Sequence, residues 1–322
     1  MLKRTVKKVL VTGATGQIGS ELVVALREKY GKNNVVAAGH KKKPDKELLE
    51  SGPFEYLDVT DEALLQLIVK EYDVDAVYHL ASLLSAAGEE NPQLAWKINM
   101  GGLHNVLETS RKCGVVQVFW PSSIAVFGPG APRVNVPQNT ILAPRTMYGL
   151  TKVAGELLCN YYFLKFGLDV RSARYPGVVS SETPPGGGTT DYAVEMFYGA
   201  LKKKRYTCFV REDTMLPIIY ISDCIKAALD LMAADSSKLK TRASYNVAAM
   251  SFSAGALAAE IKKHIPGFTC EYKPDFRQKI ADSWPTSIDD SLARREWGWT
   301  PTYDLAAMTK DMITKLSEKF RA

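Results

Sequence analysis

The chain has 322 residues, of which 46% are hydrophobic and 24% charged, and this fits one large α/β unit or one domain with a smaller lobe. Its net charge of +6 is spread along the chain instead of being gathered into an arm, so no nucleic-acid partner is expected. The five cysteines and four histidines are scattered and include no Cys-x-x-Cys pair, which argues against a zinc site and predicts no bound metal.

No apolar run approaches the roughly 20 residues that a membrane-spanning helix needs, so no membrane partner is expected. The opening residues 1–8 are basic and contain no acid. This composition is shared by solvated termini and by the remnants of organelle presequences, and we favour the solvated terminus.

Apolar segments of strand length alternate with helical patterns from the start of the chain. In chain order the patterns predict a strand at 9–12, a helix at 18–30, a strand at 35–38, a helix after 60, a strand at 76–80, a helix at 96–113, a strand at 115–120, a helix at 148–166 and a strand at 169–174. Such repeated strand-helix-strand units predict an α/β fold with a Rossmann-type, doubly wound parallel sheet.

The regular alternation ends after Tyr175, where a loop rich in proline and glycine spans 183–188. A helix is predicted from 190 to about 201, and strands at 215–221 and 245–248. We therefore expect a Rossmann domain over 1–175, to which a segment at about 213–250 returns. The rest of 176–322 would form a smaller, mainly substrate-binding C-terminal lobe.

A glycine-rich turn follows the first strand and opens the first helix, and its glycines have the spacing G-x-x-G-x-x-G. The first glycine permits a sharp turn, the second a close approach to a pyrophosphate, and the third close packing of helix on strand, while the helix N-terminus attracts phosphate. The turn therefore predicts a dinucleotide site formed by Gly13, Gly16, Gln17, Ile18 and Gly19.

The second strand is followed by Gly39, His40 and the lysines 41–43, where an NAD site usually has an acid for the ribose hydroxyls. The basic run is either a solvated turn or a cationic partner for the 2′-phosphate of NADP.

Other cofactor contacts are expected beyond the carboxyl ends of the strands, because ligands bind there in parallel sheets. Asp58 would accept a hydrogen bond from the adenine amino group, or it would cap the helix that begins near Asp61. The full set of strand-end residues predicted to line the cofactor site is Asp58, Val59, Leu80, Ala81 and Tyr175.

The catalytic candidates are Tyr148 and Lys152, which are four residues apart and so lie on one face of a helix. A free tyrosine has a pKa near ~10, but a neighbouring ammonium and a positive nicotinamide ring would both stabilise the phenolate. Tyr148 is therefore the predicted proton acceptor. Ser123, at the end of the fifth strand, would hydrogen-bond the substrate oxygen, although serines after a strand are also common in turns.

These residues, with the glycine-rich turn, resemble the extended short-chain dehydrogenase/reductase family, which also includes nucleotide-sugar 4-epimerases. The resemblance covers nearly the whole chain. Within that family, the segments 84–89, 121–127, 185–193 and 282–285 resemble the short-chain L-threonine 3-dehydrogenases.

The resemblance implies NAD-dependent oxidation of the threonine β-hydroxyl to 2-amino-3-oxobutyrate, with the hydride passing to NAD and the proton to Tyr148. NAD ranks first only because the resemblance supports it, and NADP ranks second. The resemblance also implies an amino-acid pocket, although Trp284 could equally be ordinary core packing. The residues implied to surround the substrate are Ser85, Ser123, Tyr148, Gly188, Thr189 and Trp284.

A homodimer through the helices near His104 and Tyr161 is also implied, as is a mitochondrial location for a eukaryotic source and a cytoplasmic one otherwise. One alternative is a nucleotide-sugar 4-epimerase or dehydratase, although Ile124 and Ala125 supply no acidic pair after the serine. A more distant alternative is a non-catalytic dinucleotide sensor, against which Tyr148 and Lys152 argue, since fold alone does not fix function.

Overall fold

The structure is a computed structural model that describes residues 5–242 and 244–321. Half of the basic opening segment, residues 1–4, lies outside the described residues, and the compartment stays a prediction. Over the part of the chain that the structure describes, no helix is long and apolar enough to cross a membrane.

A central parallel sheet organises the N-terminal two thirds of the chain, and seven of the described strands form it. Numbered in chain order, they are β1 (Val9–Thr12), β2 (Val35–Gly39), β3 (Phe54–Tyr56), β4 (Ala76–His79), β5 (Gln117–Ser123), β6 (Asp169–Tyr175) and β10 (Tyr245–Asn246). Their order in the sheet is β3-β2-β1-β4-β5-β6-β10. The direction of winding reverses between β1 and β4, and in such sheets ligands bind in the crevice beside that reversal.

Helices cover both faces of this sheet. They are α1 (Gln17–Tyr30), α2 (Lys46–Glu50), α3 (Glu62–Glu71), α4 (Ser85–Glu90), α5 (Pro92–Trp96), α6 (Gly102–Cys113), α7 (Met147–Phe166) and α9 (Ile221–Ala233). Side chains of a strand alternate between faces: Val9 and Val11 join the core that includes α1 and α9, whereas Leu10 joins the core that includes α3, α6 and α7. This burial on both sides explains why β1 is entirely apolar up to Thr12.

The C-terminal region forms a smaller lobe. Its described elements are β7 (Gly177–Val179), α8 (Tyr192–Lys203), β8 (Arg205–Cys208), β9 (Met215–Tyr220), β11 (Met250–Ser253), α10 (Ala254–His264), β12 (Thr269–Tyr272), α11 (Arg277–Ser283), α12 (Ser291–Trp297) and α13 (Leu305–Arg321). Strands β11, β9 and β7 make one small sheet, in which β9 pairs antiparallel with β11 and parallel with β7. Strands β12 and β8 make a parallel pair.

The predicted fold class, a doubly wound parallel sheet with a smaller C-terminal lobe, is confirmed. Within 213–250 only β10 joins the central sheet, because β9 pairs with β7 and β11 instead. The division of the chain at residue 175 stays a prediction.

Differences from the predicted elements include two with a clear physical cause. The fifth strand starts at Gln117 and not at residue 115, because the Val115 amide donates to Ser110 O at the end of α6. The helix predicted over 96–113 is interrupted by a π-helical turn over Lys97–Gly101, which periodicity does not reveal.

Candidate active site

A cleft runs along the carboxyl ends of β1, β4, β5 and β6 and is closed on its far side by the C-terminal lobe. Its empty volume, including its open mouth, is about 1030 Å³. The predicted site residues among those that line it are Gly13, Gly16, Gln17, Ile18, Gly19, Leu80, Ser85, Ser123, Tyr148, Lys152, Tyr175, Gly188, Thr189 and Trp284. One cleft therefore collects the predicted cofactor, catalytic and substrate residues.

The glycine-rich turn is shaped by close backbone contacts. Gly13 has φ of +74°, and a Cβ placed there would lie 2.7 Å from the amide nitrogen of Ala81. A Cβ on Gly19 would lie 2.2 Å from Gly13 O, so α1 can rest on the turn only without a side chain at that position. Helix α1 follows Gly16, and its uncharged first turn leaves the amide groups and the positive end of the helix facing the cleft. These features fit the pyrophosphate of a dinucleotide.

Replacement of Gly19 by alanine is expected to weaken dinucleotide binding about tenfold or more. The added methyl group clashes with the turn and forces α1 away from it, which carries the free-energy cost typical of overpacking. Binding is measured by quenching of protein fluorescence on titration with NADH. Gly130→Ala is the control, since a Cβ at Gly130 meets nothing within 4 Å. Equal affinity of Gly19→Ala and the unmodified protein would contradict this account of the turn.

Tyr148 lies in the first turn of α7, whose N-cap Thr146 accepts a hydrogen bond from the Gly149 amide at 3.1 Å. A Cβ on Gly149 would lie 2.3 Å from Ala125 O, so this glycine lets the start of α7 press against the short helix that follows Ser123. The contact places the Ser123 hydroxyl close enough to the Tyr148 phenol to lower its pKa.

Lys152 lies one turn after Tyr148, and its Nζ donates to Pro121 O at 2.6 Å while lying 5.4 Å from the centre of the Tyr148 ring. Burial lowers the pKa of Lys152 to about 7. Burial also raises the pKa of Tyr148 to about 12, against an opposing contribution from the Ser123 hydroxyl. Burial thus disfavours the charged form of both side chains. A phenolate at Tyr148 therefore depends on positive charge placed beside it.

A buried ion pair supports the catalytic helix from below. Glu156, one turn after Lys152, accepts from Arg174 Nε and Nη2, both at 2.8 Å, and from the Ser122 hydroxyl at 2.6 Å. Both charged residues are almost fully buried. The pair fixes α7 to β5 and β6 beside Ser123. Sequence analysis missed it, because no spacing rule links residues 156 and 174.

Asn99 was also missed, and it lies in the π-helical turn. Its Oδ1 accepts from the Leu83 amide at 2.8 Å, and its Nδ2 donates to Leu83 O and to Thr151 Oγ1. Asn99 thereby ties the loop after β4 to α7. The sequence pattern, which predicts a continuous helix, does not indicate this role of Asn99, because the amide faces the loop through the π turn.

The residues implied to surround the substrate also line this cleft. Ser85 Oγ lies 3.0 Å from Thr189 Oγ1 and accepts from the Thr189 amide at 3.3 Å. The amides of Gly187 and Gly188 donate to Asp191, a cleft residue that the sequence analysis did not select. Burial raises the pKa of that carboxyl, against opposing hydrogen bonds from the two amides. Trp284 lines the cleft and is 5% exposed within the apolar core, and its contact with the substrate stays a prediction.

Three predicted cofactor residues are not among those that line the described cleft: Asp58, Val59 and Ala81. Ala81 contacts the site only through its backbone beside Gly13. The capping interpretation of Asp58 was wrong, because Asp61 is the N-cap of α3 and accepts from the Leu64 amide. Asp58 instead accepts from the amide and hydroxyl of Thr60, and its adenine contact stays a prediction.

The chain as a whole is similar to several known proteins. Residues 9–248 match the model of the NAD dependent epimerase/dehydratase family. An uncharacterised epimerase/dehydratase of Staphylococcus haemolyticus is 51% identical, with 97% of this chain and 98% of the relative covered. The solved L-threonine dehydrogenase of Clostridium difficile is 52% identical with a TM-score of 0.95, and 98% of this chain and 99% of that one are covered. A monomeric L-threonine 3-dehydrogenase from a metagenome is 49% identical with a TM-score of 0.93, and 97% and 99% are covered.

Proposed function

The chain belongs to the NAD dependent epimerase/dehydratase family, and from that premise we propose that it oxidises the β-hydroxyl of L-threonine to 2-amino-3-oxobutyrate. One observation carries the proposal: Ser123, Tyr148 and Lys152 converge in the cleft that also contains the Ser85–Thr189 pair. Support also comes from solved structures about half identical to this chain that are named as L-threonine dehydrogenases. Other enzymes of the same fold serve different chemistry, so the site and not the fold carries this assignment.

A nicotinamide dinucleotide is the cofactor that the family implies, and the residues of the cleft fit it. Gly13, Gly16 and the first turn of α1 would hold the pyrophosphate. Leu80 and Tyr175 line the continuation of the cleft toward Tyr148. When bound, the cofactor supplies the acceptor for the hydride that leaves the substrate, and we take it to be NAD.

Tyr148 would accept the proton of the β-hydroxyl as the hydride leaves the same carbon. Ser123 would donate a hydrogen bond to that oxygen and hold it beside the phenol. Lys152 would stabilise the phenolate, because it supplies a positive charge 5.4 Å from the ring in a site where burial alone raises the pKa of Tyr148 to about 12. All three roles follow from proton transfer at one oxygen atom.

The rest of the amino acid would be held by groups that carry both donors and acceptors. Ser85 and Thr189 place two hydroxyls 3.0 Å apart in the cleft and could bind the ammonium or the carboxylate. The Gly188 amide is already committed to Asp191, so Gly188 would contribute its carbonyl or its small size. Trp284, buried beside them, would cover the side-chain methyl with its indole.

The proposal is tested by absorbance of the reduced nicotinamide when the protein is mixed with NAD and L-threonine. L-serine, L-allo-threonine and UDP-galactose are the comparators. Formation of NADH with threonine above all other substrates is the expected result. Turnover of UDP-galactose without released NADH would support a nucleotide-sugar 4-epimerase instead, and binding of dinucleotide with no turnover would support a sensor.

We also propose that the chain forms a homodimer through α6 and α7. Leu157, Tyr161 and Leu164 are spaced 4 and 3 residues apart on α7, and their exposed fractions are 65%, 52% and 73%. Side chains at this spacing share one helix face, and such an exposed apolar face is typical of an interface. Sedimentation is expected to give a dimer that Leu164→Glu converts to a monomer. A monomeric unmodified protein, like the relative named as monomeric, would contradict the proposal.

A further inference from the structure

The end of β2 lacks the acid that usually recognises the ribose in an NAD site. Gly39 occupies the last position of the strand, and a Cβ there would lie 2.9 Å from Thr15 Cγ2 and 3.1 Å from the Phe54 ring. Those contacts leave little room for a larger side chain at this position. The residue that follows, His40, is therefore the first side chain beyond the strand that can face a ligand.

His40 is about half exposed, and its Nε2 lies 3.7 Å from Asp58 Oδ2. The other carboxylate oxygen of Asp58 is occupied by the amide and hydroxyl of Thr60, at 2.9 and 2.8 Å. Burial opposes ionisation of Asp58, but the Thr60 hydrogen bonds and the charges of His40 and Lys97 outweigh it, so its pKa is lowered. The ionised Asp58 carboxylate therefore lies beside the imidazole, on its Nε2 side.

Positive charge dominates the surroundings of this imidazole. The lysines 41–43 follow it directly and are exposed, and Lys97 lies close enough to act on Asp58. The negative charge of Asp58 is thus offset by Lys97 and by the hydrogen bonds from Thr60. An anion placed beyond the end of β2 would meet cationic side chains where an NAD-specific site offers a carboxylate.

We propose that this site accepts NADP as well as NAD, with His40 and the lysines 41–43 facing the 2′-phosphate. In an NAD-specific site, an acid at the end of β2 binds the ribose hydroxyls and repels a 2′-phosphate. This chain has Gly39 and His40 there, so neither interaction is made at the end of β2. The inference rests on the proposed dinucleotide site but is independent of the substrate that the enzyme oxidises.

The test compares the affinities of the whole protein for NADH and NADPH, measured by calorimetry without substrate. For the unmodified protein, the two dissociation constants are expected to differ by less than about tenfold, a gap of ~1.4 kcal/mol. His40→Asp is expected to weaken NADPH binding about tenfold or more while leaving NADH binding unchanged or tighter, because it replaces the imidazole with the missing acid. His40→Ser, which only removes the imidazole, should weaken NADPH binding to a smaller extent.

The matched control is Asn33→Asp, which also introduces a carboxylate, at an exposed position near the opposite end of β2. It should leave both affinities unchanged. NADPH binding more than about 100-fold weaker than NADH binding in the unmodified protein would overturn the proposal, as would an unchanged affinity ratio in His40→Asp. Because no amino acid is present, dual dinucleotide binding with no threonine oxidation would refute only the proposed function.

Discussion

Tyr148→Phe is expected to lower kcat for threonine oxidation about 10³-fold, within the range found when a general base is removed. In the proposed mechanism the Tyr148 phenol takes the proton of the substrate hydroxyl, and Ser123 and Lys152 line the same cleft. Phenylalanine keeps the ring and its packing but has no atom that can accept a proton. Affinity for NADH should change little, because the glycine-rich turn is untouched.

The control for this variant is Tyr161→Phe, which makes the same chemical change on the same helix at a half-exposed ring. It should retain full activity. In the unmodified protein, kcat/KM should rise with pH by up to about tenfold per unit below about pH 7, because a base whose pKa is raised must lose its proton to act. The rise should level off above about pH 7, where Lys152 loses the charge that stabilises the phenolate. The residual activity of Tyr148→Phe should lose this rise, and a variant with the same steep profile would show that another group is the base.

Glu156→Ala is expected to lower the free energy of unfolding by about 3–5 kcal/mol, as found when one partner of a buried ion pair is removed. The Arg174 guanidinium would lose both of its carboxylate hydrogen bonds, and the Ser122 hydroxyl would lose its acceptor. The remaining partners of Arg174, Gln138 O and Asn246 Oδ1, are uncharged and cannot compensate for the charge. Equilibrium unfolding in urea gives the measurement.

The control for the ion pair is Glu50→Ala, which removes an exposed i,i+4 contact to Lys46 and should cost less than about 0.5 kcal/mol. Because Glu156 fixes α7 to β5 and β6, Glu156→Ala should also lower kcat in the folded protein. A change in stability below about 1 kcal/mol would mean that water or a rearranged side chain replaces the carboxylate, and the described network would then not support the catalytic helix.

The elements that carry the cofactor turn and the catalytic residues could be predicted from the sequence because their signals are local. The first strand, the glycine turn and α1 follow one another within 30 residues, and the structure gives the strand its predicted bounds. Tyr148 and Lys152 share a helix face by spacing alone. Ser123 joins them because adjacent parallel strands bring their carboxyl ends to one edge of the sheet.

The remaining features depend on contacts between distant segments. Glu156 and Arg174 meet only after β6 pairs with β5, and Asp191 reaches the cleft only when the glycine loop 186–188 folds back over it. The rotation of Asn99 requires a π turn, which has no reliable periodicity in sequence. Asp58 does not cap α3, because Asp61, three residues later, offers the same side chain at the position where the helix begins.

Fold and sequence pattern are shared by enzymes of this family that act on different substrates. Epimerases and dehydrogenases of this fold share a glycine turn and a tyrosine-lysine pair, so their substrates are distinguished by the other residues that line the cleft. Here those residues include the Ser85–Thr189 hydroxyl pair and the Trp284 indole, a set suited to a small zwitterion. Release of the reduced cofactor is the second distinction, since an epimerase returns the hydride to its substrate.

The most direct test of the central claim follows the hydride itself. The protein is mixed with NAD and L-threonine that carries deuterium on the β-carbon, and the reduced dinucleotide is analysed by mass spectrometry and proton NMR. Our account predicts one deuterium on the C4 carbon of the nicotinamide in every molecule of NADH formed, and no transfer in the Tyr148→Phe variant beyond its residual rate. Reduction without deuterium, or no reduction by threonine at all, would contradict it.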